Sequence, residues 1–187
     1  KTKVTKYQWE ALQFLSPPEQ FTVSEWAEKY RMLDSKSSAM PGPWSNDITP
    51  YLCGVMDEFN NYETEKIIFV KPTQIGGTEA LQNMIGYIVM QDPAPTMIVY
   101  PTETLAKSVS ENRLQPMLKA TPEISKKFDE NSSLLELQFD GMYLTLAGSN
   151  SPSGLASKPI RFLMMDEVDK YPGASSKEAD PIKLATE

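Results

Sequence analysis

The spacing of apolar positions changes partway along the chain. "TVSEWAEKYRML" (22–33) sets Trp26, Tyr30 and Leu33 near helical spacing behind a Thr22–Glu25 capping-box pair, which predicts a helix. A loop from Ser35 to Asn46 contains Pro41-Gly42-Pro43. "TPYLCGVMDEFNN" then restarts a helix, with Thr49 as cap and Pro50 at the first helical position. From there short apolar runs alternate with helical ones. "KIIFV" (66–70), "TMIVYP" (96–101) and "IRFLMM" (160–165) read as strands buried on both faces, as in parallel sheets. "TEALQNMIGYIVMQD" (78–92) and "TETLAKSVSENRLQPMLKAT" (102–121) read as helices, the second kinked at Pro116. "LLELQF" and "MYLTLA" flank Asp140-Gly141, a strong hairpin signal. Residues 1–20 are polar, break at Ser16-Pro17-Pro18, and are expected to form an arm or linker. Residues 21–187 therefore read as one α/β domain, three-layered, with a mostly parallel sheet flanked by helices and one β-hairpin.

Composition narrows the chemistry. The 187 residues suffice for one domain with a substantial core. A start at Lys1 and a stop at Glu187, soon after a motif-rich region, lead us to expect an excised, truncated fragment. There is no histidine, so Ser-His and Cys-His triads and His-containing zinc sites are excluded, and acid–base or metal chemistry falls to Asp and Glu. The single cysteine, Cys53, forms no internal disulfide and points to a reducing compartment. No apolar run approaches the ~18 residues of a membrane span, and no signal peptide is visible. A net charge of −7 argues against a broad nucleic-acid-binding face on this segment, though not against a small patch.

Two stretches carry candidate chemistry. "KPTQIGGTE" (71–79) nearly matches the phosphate-binding loop G-x-x-x-x-G-K-[ST], with Gly77 in the lysine's place and Lys71 at the far end. Alone it is a weak signal, since a Gly-Gly-Thr after a strand is more often just a strand-to-helix turn with a helix cap. "FLMMDEVD" drives four apolar residues through a core and releases Asp166 and Glu167 at the carboxyl end, where ligands bind in open α/β sheets. Together they form a coherent site. The loop Lys71, Pro72, Thr73, Gln74, Ile75, Gly76, Gly77, Thr78 offers an anion-binding concavity at a helix N-terminus. Thr78 and Asp166 can hold Mg²⁺, Glu167 can deprotonate a water, and Lys71 can fold back over the phosphates of ATP. Glu79 is expected to point away from the nucleotide. Trp44 and Tyr51 read either as helix-packing residues or as the lining of an adenine pocket. Asp169 and Lys170 read as a solvated face.

The displaced lysine and several further motifs resemble the ATPase part of the lambda-type phage terminase large subunit. These are "SEWAEKYRML", "PGPW…TPYLCGVMD", "VKPTQIGGTEAL", "YPTETLAKSVSENRLQPML", "LTLAGSNSPSGLASKPIRFLMMDEVDKYP" and "DPIKLA", in one order from about Phe21 onward. The resemblance implies a P-loop NTPase-like fold of the ASCE type and an ATP-hydrolysing motor that packages viral DNA into the procapsid. It also implies a deviant Walker A with Lys71, Gly76, Gly77 and Thr78, and a Walker B with Asp166 as the Mg²⁺ carboxylate and Glu167 as catalytic base. Implied partners are double-stranded viral DNA, the terminase small subunit, the portal and procapsid, and further copies of the chain. The implied setting is the host cytoplasm. Full-length relatives also carry an endonuclease domain and a coupling motif on a strand after Walker B, and neither is evident here. Glu79 stands where some relatives have lysine. The loop "SPSGLASKP" lacks an arginine finger, and Arg31, Arg113 and Arg161 are the chain's three arginines. A helicase-like DNA-dependent ATPase and a non-hydrolysing nucleotide-binding or scaffolding module are the competing readings.

Overall fold

The computed structural model describes residues 19–36, 38–151, 159–172 and 181–186. Most of the expected arm and most of the Ser/Gly-rich loop lie outside the described residues. Helix α1 (Val23–Tyr30) begins at the expected capping box, with Thr22 and Glu25 bonded reciprocally. Asp57 and Asn60 add acceptors for the Ser24 and Val23 backbone N–H groups, at 2.8 and 2.9 Å. The chain then forms a two-stranded antiparallel ribbon, β1 (Met32–Leu33) with β2 (Gly42–Pro43), so Leu33 is a strand residue rather than the end of the helix. Helix α2 (Tyr51–Asp57) takes Pro50 as its N-cap, and Thr49 makes no side-chain cap. Helix α3 (Gly77–Gln91) follows the loop and packs on α1 and α2.

The main sheet holds β3 (Thr96–Tyr100), β4 (Glu136–Phe139), β5 (Met142–Gly148) and β6 (Phe162–Met165), in the order β4-β5-β3-β6. β3 pairs in parallel with both β5 and β6, and β4 closes on β5 as the expected antiparallel hairpin. At its turn only Gly141 takes a positive φ (86°), so this is not the type I′ form, which needs two. The architecture is thus mixed α/β with a mostly parallel sheet.

One expectation fails. Residues 66–70 form no strand, and Ile68 and Val70 are 78% and 90% exposed. The apolar run was read as a buried strand, but burial in a sheet needs hydrogen-bonded neighbours. Both sides of β3 are taken by β5 and β6, and no described strand lies beside 66–70. The sheet containing 162–165 therefore does not contain 66–70, and the loop is carried by α3 instead.

The second long helix also differs from a simple kink. It divides into α4 (Glu103–Val109), a π-helical turn (Ser110–Leu114) and α5 (Gln115–Ala120), followed by the short α6 (Pro122–Ser125). Pro116 has no N–H to give, and the Gln115 N–H reaches back five residues to the Ser110 carbonyl.

Alternation along the strands sorts the core onto two faces. Ile98, Tyr100, Leu144, Leu146 and Met164 join the large cluster under the helices, whereas Met97, Val99 and Ala147 form a small second cluster. Tyr171 and Ala185 of α7 (Pro181–Thr186) pack against that second cluster.

Trp26 ties α1 to α3. Its fully buried indole lies along α3 and donates to the Met90 sulfur at 3.1 Å, and a Cβ built at Gly86 would stand only 2.1 Å from the ring's Cη2. An alanine in mid-helix ordinarily gains about 1 kcal/mol over glycine. Here a rigid indole stands in the way, so Gly86→Ala is expected to destabilise the chain by about 1–3 kcal/mol in urea unfolding.

Candidate functional site

The loop between residues 71 and 76 bends through two positive-φ positions, Gln74 (62°) and Gly76 (81°). Gly76 is the N-cap of α3 and offers no side chain, so no side-chain bond caps this helix start. The orphan N–H groups of the first turn, with the positive end of the helix dipole, form a concavity suited to an anion. A Cβ at Gly76 would sit 3.1 Å from Leu52 Cδ1, and the Tyr51 hydroxyl donates to the Ile75 carbonyl at 3.2 Å. Helix α2 therefore supports the loop from below.

The side chain of Lys71 lies across Gly77. A Cβ built at Gly77 would overlap Lys71 Cδ and Cε and stand 3.0 Å from its Nζ. The lysine from the far end of the loop thus reaches the position where the common motif carries its own, over the first turn of α3.

The acids meet the same turn. Asp166 follows β6, is 6% exposed, and accepts a hydrogen bond from the Thr78 hydroxyl at 3.2 Å through Oδ2. Its Oδ1 accepts from the Glu167 N–H at 3.0 Å. Among the described residues no basic side chain forms an ion pair with it. A buried carboxylate held only by hydrogen bonds, facing a threonine hydroxyl, is a donor set of hard oxygens that fits Mg²⁺ completed by phosphate and water oxygens. Glu167 takes a positive φ of 54°, which is strained for a residue with a Cβ. Its Oε2 pairs with Lys170 Nζ at 3.0 Å, and both side chains are more than a third exposed. Lys170 is exposed, in keeping with the solvated face expected of it, and within that face it engages the candidate base.

Other expected residues are placed as follows. Glu79 turns away from the loop, as expected, and pairs with Arg31 at 2.8 Å. Trp44 is 7% exposed in the main core and donates to Asn46 at 2.8 Å, whereas Tyr51 is 55% exposed beside the loop. Arg161 grips Asp92 with both terminal nitrogens, at 2.7 and 2.8 Å, and so anchors the start of β6. Arg113 lies on the π-helical turn. Sequence reasoning missed the roles of Arg31, Lys170, Tyr100 and Tyr171. For Arg31 there was no local signal, since Glu79 lies 48 residues further on and a glutamate in a first helical turn is ordinarily served by its own helix.

An uncapped loop-to-helix turn, a lysine over it and Asp166 from the end of β6 come together, with Glu167 next in the chain, on a mixed α/β scaffold compatible with P-loop ATPases. The family model described as phage terminase large subunit gpA, ATPase domain, matches residues 38–187, and the chain belongs to that family. No curated protein matches the chain. No described helix is long and apolar enough to cross a membrane.

Two tyrosines border the acids. Burial, then the charge of Asp166, pushes the Tyr100 and Tyr171 phenols well above their ordinary range. Tyr171 also donates to the Val99 carbonyl at 2.8 Å. The unfolded chain ionises these phenols near pH ~10 and the folded chain only above it, so stability is fully present below that pH and falls as pH rises through the folded values. Thermal midpoints between about pH 8 and 12 are expected to stay level and then drop, and Tyr100→Phe should shallow the drop.

Proposed function

We propose that residues 21–187 form the ATP-hydrolysing domain of a motor that drives double-stranded viral DNA into a procapsid in the host cytoplasm. It would work with the small subunit, the portal and further copies of itself, and with an endonuclease domain elsewhere in the full-length subunit. The observation that carries this reading is the Thr78–Asp166 contact, which joins the loop to the acid pair although 66–70 is outside the sheet.

In this reading the N–H groups of residues 74–78 and the Lys71 ammonium hold the phosphates, with Pro72, Thr73 and Ile75 shaping the loop. Thr78 and Asp166 would hold Mg²⁺, which neutralises charge on the phosphate oxygens. The carboxylate of Glu167 orients the attacking water and accepts its proton, and its pairing with Lys170 must open for it to do so. Tyr51, whose hydroxyl rests on the Ile75 carbonyl, would be the aromatic to meet an adenine base, and Trp44 belongs to the core.

A cation at developing phosphate charge contributes several kcal/mol, so Lys71→Ala is expected to lower steady-state ATPase turnover by about 10²-fold or more. Retained turnover in that variant would return the loop to an ordinary turn, and unaffected assembly with lost turnover would separate a motor from a scaffold. Because Lys71 occupies the space above Gly77, Gly77→Lys should crowd the wild-type lysine yet restore part of the activity in the Lys71→Ala background. Asp166→Asn is expected to weaken ATP binding only when Mg²⁺ is present, as read by calorimetry with and without the ion. Equal loss in both conditions would exclude Asp166 as the ion's ligand.

A further inference from the structure

Glu79 occupies a position with a strong habitual role. Counting from the N-cap Gly76, it is the third residue of α3, where a glutamate reaches back to the N-cap backbone N–H and caps its own helix. This chain does so at α1: Glu25, also the third residue, accepts from the Thr22 N–H at 2.9 Å. At α3 no such bond forms. The carboxylate is drawn instead to Arg31, whose Nη2 donates to Glu79 Oε2 at 2.8 Å.

Arg31 is held firmly for this purpose. It is 3% exposed, just past the end of α1, with its backbone N–H on the Ala27 carbonyl and its own carbonyl accepting from Trp44 N–H, both at 3.0 Å. Nη1 donates to Asn83 at 2.8 Å and Nη2 to Gln82 at 3.1 Å, four and three residues beyond Glu79 on α3. Burial lowers its pKa and the Glu79 charge opposes that shift. Arg31 Nε and Gln82 Nε2 are buried without partners among the described residues, so the cluster leaves part of its hydrogen-bonding capacity unused. A buried ion pair is weak evidence of net stabilisation, and polar groups left unpaired often mark a functional arrangement.

We propose that Arg31 is a positioning residue for the nucleotide: it diverts Glu79 from the start of α3, where that carboxylate would fill the anion cradle itself. The inference rests on the reading that residues 71–78 receive phosphate. Without Arg31, Glu79 swings back to cap Gly76, competes for the same N–H groups and repels the incoming charge. The leader helix α1 thereby keeps the loop open through one side chain.

The test measures ATP·Mg²⁺ affinity by calorimetry, and thermal midpoints separately, for the chain and its Arg31→Ala, Glu79→Ala, Arg31→Ala/Glu79→Ala, Arg31→Lys and Lys71→Ala variants. Arg31→Ala is expected to weaken ATP binding by about tenfold or more, equivalent to about 1.4 kcal/mol. Glu79→Ala should bind as the unaltered chain does, and the double variant should recover most of the lost affinity while its melting temperature stays low. A double variant as weak as Arg31→Ala would overturn the proposal, since a purely structural arginine gains nothing from losing Glu79. If Arg31→Ala does not fold, Arg31→Lys decides. It keeps a charge opposite Glu79 but not the fork to Asn83 and Gln82, so affinity should hold while stability falls. An affinity loss there that Glu79→Ala fails to relieve would also overturn it. An unaltered chain that binds no ATP, or binding indifferent to Lys71→Ala, would instead remove the phosphate-loop reading beneath it.

Discussion

The hydrogen bond from Thr78 to Asp166 is the contact on which the site depends. In an ordinary loop of this kind, the preceding strand lies in the same sheet as the acidic strand and fixes the distance between them. Here residues 66–70 pair with nothing described, so that route is missing. The loop is positioned through α3, and α3 is positioned by the leader: the Trp26 indole lies along it, Arg31 holds its first turn, and Tyr51 supports the loop from α2. Thr78 then meets a carboxylate delivered by β6, itself set by parallel pairing to β3 and by the Arg161–Asp92 clasp. Remote packing and local chemistry converge on one 3.2 Å contact.

The strain at Glu167 belongs to the same economy of space. Asp166 is turned inward and buried, and the next residue must bring its side chain out toward solvent within one peptide unit. The positive φ accomplishes this, and the Glu167 N–H closing on Asp166 Oδ1 helps hold the bend. The two adjacent acids thereby acquire different surroundings, one enclosed and hydrogen-bonded, the other accessible and paired with a lysine. Roles that differ between neighbouring carboxylates commonly begin with such a difference in environment.

Much of this was legible in the sequence, for identifiable reasons. The Thr22 cap of α1, the start of α3 to within one residue of the expected Thr78, the Asp140-Gly141 hairpin and strands β3 and β6 are specified by local chemistry: caps, turns and apolar runs. The meeting of loop and acids was expected from strand ends sharing one sheet edge, a reason that fails because 66–70 is outside the sheet; Thr78 reaches Asp166 through α3 instead. The run 66–70 was misread because an apolar pentapeptide records a preference for burial and not the presence of a partner. The Arg31 cluster was hidden because Arg31 and Glu79 are far apart in sequence and no periodicity links them. The π-helical turn was partly visible in Pro116, but which upstream residue accepts the displaced N–H depends on packing against the sheet.

The exposed run at 66–70 also bears on how the protein behaves in solution. Ile67, Ile68 and Val70 display apolar surface on a segment that pairs with no strand among the described residues, the kind of stretch that recruits another chain. Charges and proline at the ends of such a run act as gatekeepers against aggregation. In this sequence the gatekeepers are Lys66 on one side and Lys71 with Pro72 on the other. The lysine that reaches across the loop is therefore also a guard on solubility. Replacing it removes a positive charge from the rim of this exposed apolar stretch, so a Lys71 variant has to be judged on its monomeric fraction rather than on total protein.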